Sequence, residues 1–163
     1  MTTRRGMIAV ATVTLLVGFA TGGVLGRQSA EADVKAMHDV YYEYFADGRA
    51  DAIADEIYHP NRMQFGADGV TIATGRDDIE AVMRRSIDGL VAQGYDRSEM
   101  MTPSICAPNP GTVIVSGGIR RYHNDGSVLG EGGASYIYGQ TEDGWRIHAV
   151  ISHDPTTAIG CVR

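Results

Sequence analysis

This sequence predicts an α+β domain with its helices packed on one face of an antiparallel sheet. Three observations point there. Apolar residues recur at helical spacing in the first part of the chain, after Asp33. Alternating stretches punctuated by glycine fill the second part. The pairs Asp68-Gly69 and Asp125-Gly126 sit between extended runs, where tight turns are needed. Helices that come early and strands that come late form separate layers instead of alternating as in a parallel sheet. A chain of 163 residues has room for one such domain, and its 44% apolar and 21% charged composition is that of a globular protein.

The first thirty or so residues stand apart. Arg4 and Arg5 precede an uncharged run from Met7 to Gly26, and Arg27 follows. At 1.5 Å per residue the run just spans a bilayer core of about 30 Å, as a membrane anchor must. A basic start and an apolar core also describe a signal peptide, and Ala30-Glu31-Ala32 offers a small-x-small cleavage pattern. Residues 1–30 are therefore expected to be an anchor or a signal peptide. Either one exports the rest, residues 31–156 as the folded domain and 157–163 as a tail, to the periplasm or the extracellular space, anchored or secreted.

The elements then follow in order. Val34, Met37, His38, Tyr41 and Phe45 form the apolar stripe of a helix over 33–47, which Gly48 ends. Ala50, Ile53, Ala54, Ile57 and Tyr58 make a second, short one, stopped by Pro60. Arg62–Phe65 and Val70–Thr74 read as a small hairpin. Ile79, Val82, Met83, Ile87, Leu90 and Val91 form the face of a long helix that Gly94 terminates. Four strands complete the chain: one around Glu99–Cys106, then 112–123, 128–141 and 145–152.

A net charge of −6 without a Lys/Arg run argues against a nucleic-acid partner. Cys106 and Cys161 are the only cysteines. In an exported domain they either bridge, stapling the tail to the body, or stand as unrelated thiols. Without a CxxC or a nearby HxH they suggest no metal site.

The stretches YYEYFADGRADAIADEIYHPN, DGVTIATGRDDIEAVM and EDGWRIHAV resemble the nuclear transport factor 2-like superfamily, which includes SnoaL-like cyclases and ketosteroid isomerases. The resemblance covers Asp33 to Asp154. It implies a cone-shaped curved antiparallel sheet packed against three helices and enclosing an apolar pocket. Tyr41 falls where the isomerases carry their oxyanion-binding tyrosine, but Phe65 occupies the place of the general base, and Ala134 lies near that of its acid partner. The isomerase apparatus itself is thus incomplete. Nor is the Asp-Arg-Asp set of limonene epoxide hydrolases found, since His123 follows Arg121 by two residues.

On the closing strand, regular alternation puts Trp145, Ile147, Ala149, Ile151 and His153 on one face and Arg146, His148, Val150 and Ser152 on the other. The apolar face is expected to look inward, which places His153 at the pocket mouth as a candidate acid or base. His148 is then expected on the outer face, where such folds dimerise. With a two-residue Asp125-Gly126 turn, Arg120 faces Glu131, a cross-strand ion pair. Arg120 and Arg121 are both candidates to bind a carboxylate or enolate. Simple alternation puts Tyr136 and Tyr138 on the face of Arg121, whereas the family comparison puts them on that of Arg120. A bulge at Gly132-Gly133 would reconcile the two, and which arginine points inward stays open.

Tyr41 and Tyr58 are candidate catalytic hydrogen-bond donors beside His153. Met63, Phe65, His59, Tyr136 and Tyr138 are candidate ligand contacts, in a pocket suited to a small apolar or aromatic molecule. The expected function is an exported small-molecule-binding domain, working as a cofactor-free isomerase, dehydratase or cyclase by acid–base chemistry. The alternative is a non-catalytic binding or assembly module that mates through its sheet face, as in a homodimer.

Overall fold

The computed structural model describes residues 19–161. The charged start and most of the apolar run read as an anchor or signal peptide lie outside the described residues. Helix α1 spans Phe19–Ala46, α2 spans Ala50–Ala52 and passes directly into a π-helical turn over Ile53–Ile57, and α3 spans Arg76–Val91. The strands are β1 (Tyr58–Gly66), β2 (Gly69–Thr74), β3 (Tyr95–Asn109), β4 (Thr112–His123), β5 (Val128–Thr141) and β6 (Gly144–His153). They form one six-stranded sheet in the order β2-β1-β6-β5-β4-β3. The order of elements is the one the sequence predicts, and the fold is α+β.

Three departures from expectation have local causes. First, α1 runs without a break through the expected boundary at residue 30, and Ala30 and Val34 belong to the buried core. Glu31 accepts a hydrogen bond from the Ala107 N–H at 3.1 Å, tying this turn of helix to β3. Among the described residues no helix is long and apolar enough to cross a membrane. Second, the sheet is mixed: β1 lies parallel to β6, while the other pairs are antiparallel. The first hairpin therefore docks its β1 edge against the last strand.

Third, the β4–β5 turn is longer than two residues. The His123 N–H bonds Ser127 O, and the loop Asn124–Gly126 carries Gly126 at φ 82°, a three-residue hairpin that needs glycine at the left-handed position. Tyr122 then pairs with Val128 and Arg121 with Gly130, so Leu129 is an extra residue. This bulge restores the expected pairing of Arg120 with Glu131, and their side chains form an ion pair at 2.6 Å. There is no bulge at Gly132-Gly133, which pair regularly with Ile119 and Gly118.

The core lies between the concave face of the sheet and the helices. Val34, Ile53, Ile57 and Ile79 from the helical layer meet Val113, Val115, Tyr138 and Ile147 from the sheet, all essentially inaccessible to solvent. On the convex side the tail after Asp154 crosses β4 and β5. It approaches so closely that a Cβ on Gly118 would lie 2.8 Å from Pro155 O and one on Gly133 2.6 Å from Asp154 O. Backbone contact at that distance admits only glycine. Cys161 bridges to Cys106 of β3, so the two cysteines do staple the tail.

Candidate ligand cavity

A second bulge decides which side chains reach the concave face. Along β6, Ile147 pairs with Tyr138 and Ala149 with Ile137, leaving His148 as an extra residue. An extra residue reverses the alternation beyond it. Trp145 and Ile147 face the core before the bulge, and Val150 and Ser152 face inward after it. Ile151 and His153 are turned to the convex side.

Between α1, α3 and the concave face lies a cavity of about 300 Å³. Helix α1 contributes Tyr41 and Phe45, and α3 contributes Val82, Met83, Ser86 and Leu90, one face of its apolar stripe. The sheet adds Tyr58, Arg62 and Gln64 from β1, Ile119 and Arg121 from β4, Ala134 and Tyr136 from β5, and Val150 and Ser152 from β6. Three phenol rings meet here: Tyr41 stands edge-on to Tyr58 at 5.9 Å and to Tyr136 at 5.7 Å. Burial, reinforced by neighbouring phenols, raises the Tyr41 and Tyr136 hydroxyls well above the usual tyrosine range. At neutral pH they are hydrogen-bond donors and not bases.

Two cations look into this space. Arg121, on the same sheet face as Tyr136, lines the cavity wall, whereas Arg120 points away to Glu131. Arg62 is buried on β1. Its Nη2 donates to Gln64 Oε1 at 2.7 Å, and Gln64 Nε2 in turn donates to Ser152 Oγ at 3.0 Å. The Arg62 guanidinium lies 4.5 Å above the Tyr58 ring. None of the cavity-lining residues is acidic.

The sequence-predicted residues divide. Tyr41, Tyr58, Tyr136 and Arg121 are brought together on the cavity wall. Met63 and Phe65 are not: they pair with Ala149 and Ile151 and face the convex side, and Met63 is 41% exposed. Their apolar character suggested an inward face, but β1 turns its polar alternates, Arg62 and Gln64, to the cavity. Tyr138 lies deeper in the core, its hydroxyl 2.8 Å from His38 Nδ1. His59 sits outside the cavity beside Asp55, Arg76 and Arg146, its ring stacked on His148 at 4.1 Å. Arg62 and Gln64 were missed by sequence reasoning, although both have the same parity as inward Tyr58 along β1.

His153 is the largest correction. The bulge at His148 turns it to the convex face, where its Nε2 lies 3.0 Å from Ser135 Oγ and its Nδ1 2.8 Å from Asp154 O. The Asp154 carbonyl can only accept, so Nδ1 carries the proton and Nε2 accepts from Ser135. Ser135 accepts from Ser116, 2.6 Å away, and Ser116 accepts from the Ile159 N–H at 2.8 Å. Every polar group in this chain has a partner, and its product is a docked tail. His153→Ala is expected to cost about 1–3 kcal/mol by leaving one hydroxyl proton of the buried Ser116–Ser135 pair without an acceptor, with ligand binding in the cavity unchanged. Chemical denaturation read beside a binding titration checks both halves.

A larger and comparably open pocket of about 380 Å³ lies between α1 and β3, lined by Lys35, His38, Asp39, Tyr42, Glu99 and Met100 among others. Its Lys35–Asp39 pair is more than half exposed and mutually neutralised at 2.6 Å. The smaller cavity, which holds buried and unpaired charge, is the better candidate site.

Solved structures share this architecture at low identity. A cystatin-like-fold domain from Nostoc punctiforme is 18% identical, covering 79% of each chain with a TM-score of 0.63. An NTF2-like protein from Novosphingobium aromaticivorans is 15% identical over 79% of this chain and 82% of its own, with a TM-score of 0.62. A protein described as a calcium/calmodulin-dependent protein kinase II association domain, from Xanthomonas campestris, is 15% identical over 77% and 88%, with a TM-score of 0.56. These likenesses establish the fold alone. No curated protein matches the chain. Residues 30–155 match the family described as NTF2-like protein (DUF6841), a span that takes in both bulges, α1 from Ala30 onward, α2, α3 and every residue of the cavity wall, and the chain belongs to that family.

Proposed function

We propose that this is an exported domain that binds a small, largely apolar or aromatic molecule in the cavity between α1, α3 and the sheet. The observation that carries this reading is the 300 Å³ space walled by Tyr41, Tyr58, Tyr136 and the apolar side of α3. Its size is at the small end for ligand pockets. Acid–base catalysis draws less support, because no carboxylate or imidazole lines the cavity and His153 is engaged on the far face. Tyr41 and Tyr58 then serve as ligand contacts, with Tyr41 a hydrogen-bond donor. Filling the space tests this. Wild type should bind 2-naphthol, and Ala134→Trp should weaken that binding at least about tenfold with the circular dichroism spectrum unchanged. Equal binding by both proteins would sink the proposal.

The assembly reading has one observation of its own. Met63, Val70 and Ile72, at 41%, 55% and 67% exposure, share the convex face of the β1–β2 hairpin with Phe65. Contiguous exposed apolar surface marks contact sites. If copies pair there, Ile72→Lys converts a dimer to a monomer in sedimentation; a wild type already monomeric at high concentration removes this reading.

Export is supported by the Cys106–Cys161 bridge, since disulfides form and persist chiefly in oxidising compartments. Cleavage after Ala32 would remove Ala30 from the core and Glu31 from its bond to Ala107. The mature protein is therefore expected to retain both residues, as a tethered chain does. N-terminal sequencing decides it, and a mature chain beginning at Asp33 would contradict tethering.

A further inference from the structure

Arg62 is 4% exposed, and among the described residues no carboxylate pairs with it. Gln64 occupies Nη2, the Tyr58 ring covers one face, and Nη1 is buried with no partner. Burying an ion costs several kcal/mol even after the protein relaxes, and an arginine cannot escape that cost by losing its proton. A water molecule could satisfy the Nη1 hydrogen bond, but it would leave the charge uncompensated. Arg121 adds a second cation from across the cavity, and it too takes part in no ion pair among the described residues. The chain carries 20 acidic residues against 14 basic ones, yet none of the 20 lines this space. The walls are thus positive inside a negative protein, and the missing charge must come from elsewhere.

We infer that the occupant of the cavity is an organic anion, a carboxylate on a flat apolar or aromatic body, with Arg62 as its anchor and Arg121 as the second positive group. This rests on the reading of the cavity as a small-molecule site and names the class of molecule. The guanidinium is held in advance: Gln64, itself fixed by Ser152, orients it, and Tyr58 supports its plane. An oriented guanidinium loses little entropy on binding and suits a planar carboxylate. Tyr41 and Tyr136 supply neutral donors that add no competing negative charge. Phe45, Val82 and Leu90 receive the apolar body.

The test compares benzoate with benzamide, its neutral counterpart of the same shape, by calorimetric or NMR titration of the full chain. Wild type should prefer benzoate by at least about tenfold, the factor a charge-assisted hydrogen bond supplies. Arg62→Gln should bring the two probes within about twofold, and Arg121→Gln should reduce the preference less. Without ligand, Arg62→Gln should melt higher than wild type, since a buried unpaired charge has been removed, which separates lost recognition from lost folding. Benzamide binding as tightly as benzoate, or a preference that survives Arg62→Gln, overturns the anion and keeps the cavity. Neither probe binding, together with no binding of 2-naphthol, overturns both.

Discussion

Cys161→Ser is expected to destabilise the folded domain by about 2–4 kcal/mol. The bridge joins residues 55 apart in sequence, and closing a loop of that length removes about 4 kcal/mol of chain entropy from the unfolded state in the simplest treatment. Real bridges often deliver less, because the reduced chain keeps some structure. Here the reduced protein also depends on weaker ties to hold the tail: the Ile159 N–H on Ser116, and the Ser116–Ser135–His153 chain beneath it. Denaturant titration of wild type, Cys161→Ser and reductant-treated wild type provides the measurement. The last two should coincide, with lowered midpoints. Unchanged midpoints would mean that the tail contributes nothing to the global unfolding step.

Acid should weaken the protein well before its carboxylates titrate. His38 is buried against Tyr138 and Tyr136, and burial lowers its pKa to about 4, with Asp39 opposing only partly. In the unfolded chain the same imidazole titrates at its ordinary 6.5. The unfolded state therefore binds more protons throughout that window, and stability falls as the pH drops from about 6.5 towards 4. The full difference corresponds to about 3 kcal/mol. His148, lowered by burial and by its neighbour His59, acts in the same direction. The carboxylates of Asp55, Glu80 and Asp154, held low by their partners, lose their contributions further down. His38→Gln isolates the effect: between pH 6.5 and 5 its unfolding free energy should fall less steeply than that of wild type, the remaining slope coming from His148. A wild type equally stable at both ends of that window would show that His38 is solvated.

The elements were legible because their signals are local. Helical stripes at Val34–Phe45 and Ile79–Val91, and turn residues at Asp68-Gly69 and Asp125-Gly126, act within a few residues of themselves. Arg120 opposite Glu131 was legible for a less secure reason, since a longer turn and an extra Leu129 cancel. The faces of the strands were harder. Nothing local in Ile147–Ala149 announces an extra residue, so every side chain after His148 was assigned to the wrong side. On β1 the usual rule of apolar residues inward failed, because a polar-walled cavity reverses it: Met63 and Phe65 face out, Arg62 and Gln64 face in. A buried arginine without an acid is visible only in three dimensions. Which of the two neighbouring arginines points inward stayed open in the sequence, because alternation from Tyr136 and the family comparison disagreed; Arg121 is the one on the cavity wall.

The extra residue in β6 also sets what the cavity contains. Deleting His148 would rotate the remainder of the strand by half a turn, carrying His153 and Ile151 into the cavity and expelling Val150 and Ser152. Ser152 would leave Gln64, and the tail would lose its imidazole clamp. One codon thus separates a chamber with no titratable imidazole from one furnished with it. A single-residue length change at this position would therefore exchange the polar groups that β6 presents to the cavity without altering a single inward-facing side chain on the other five strands.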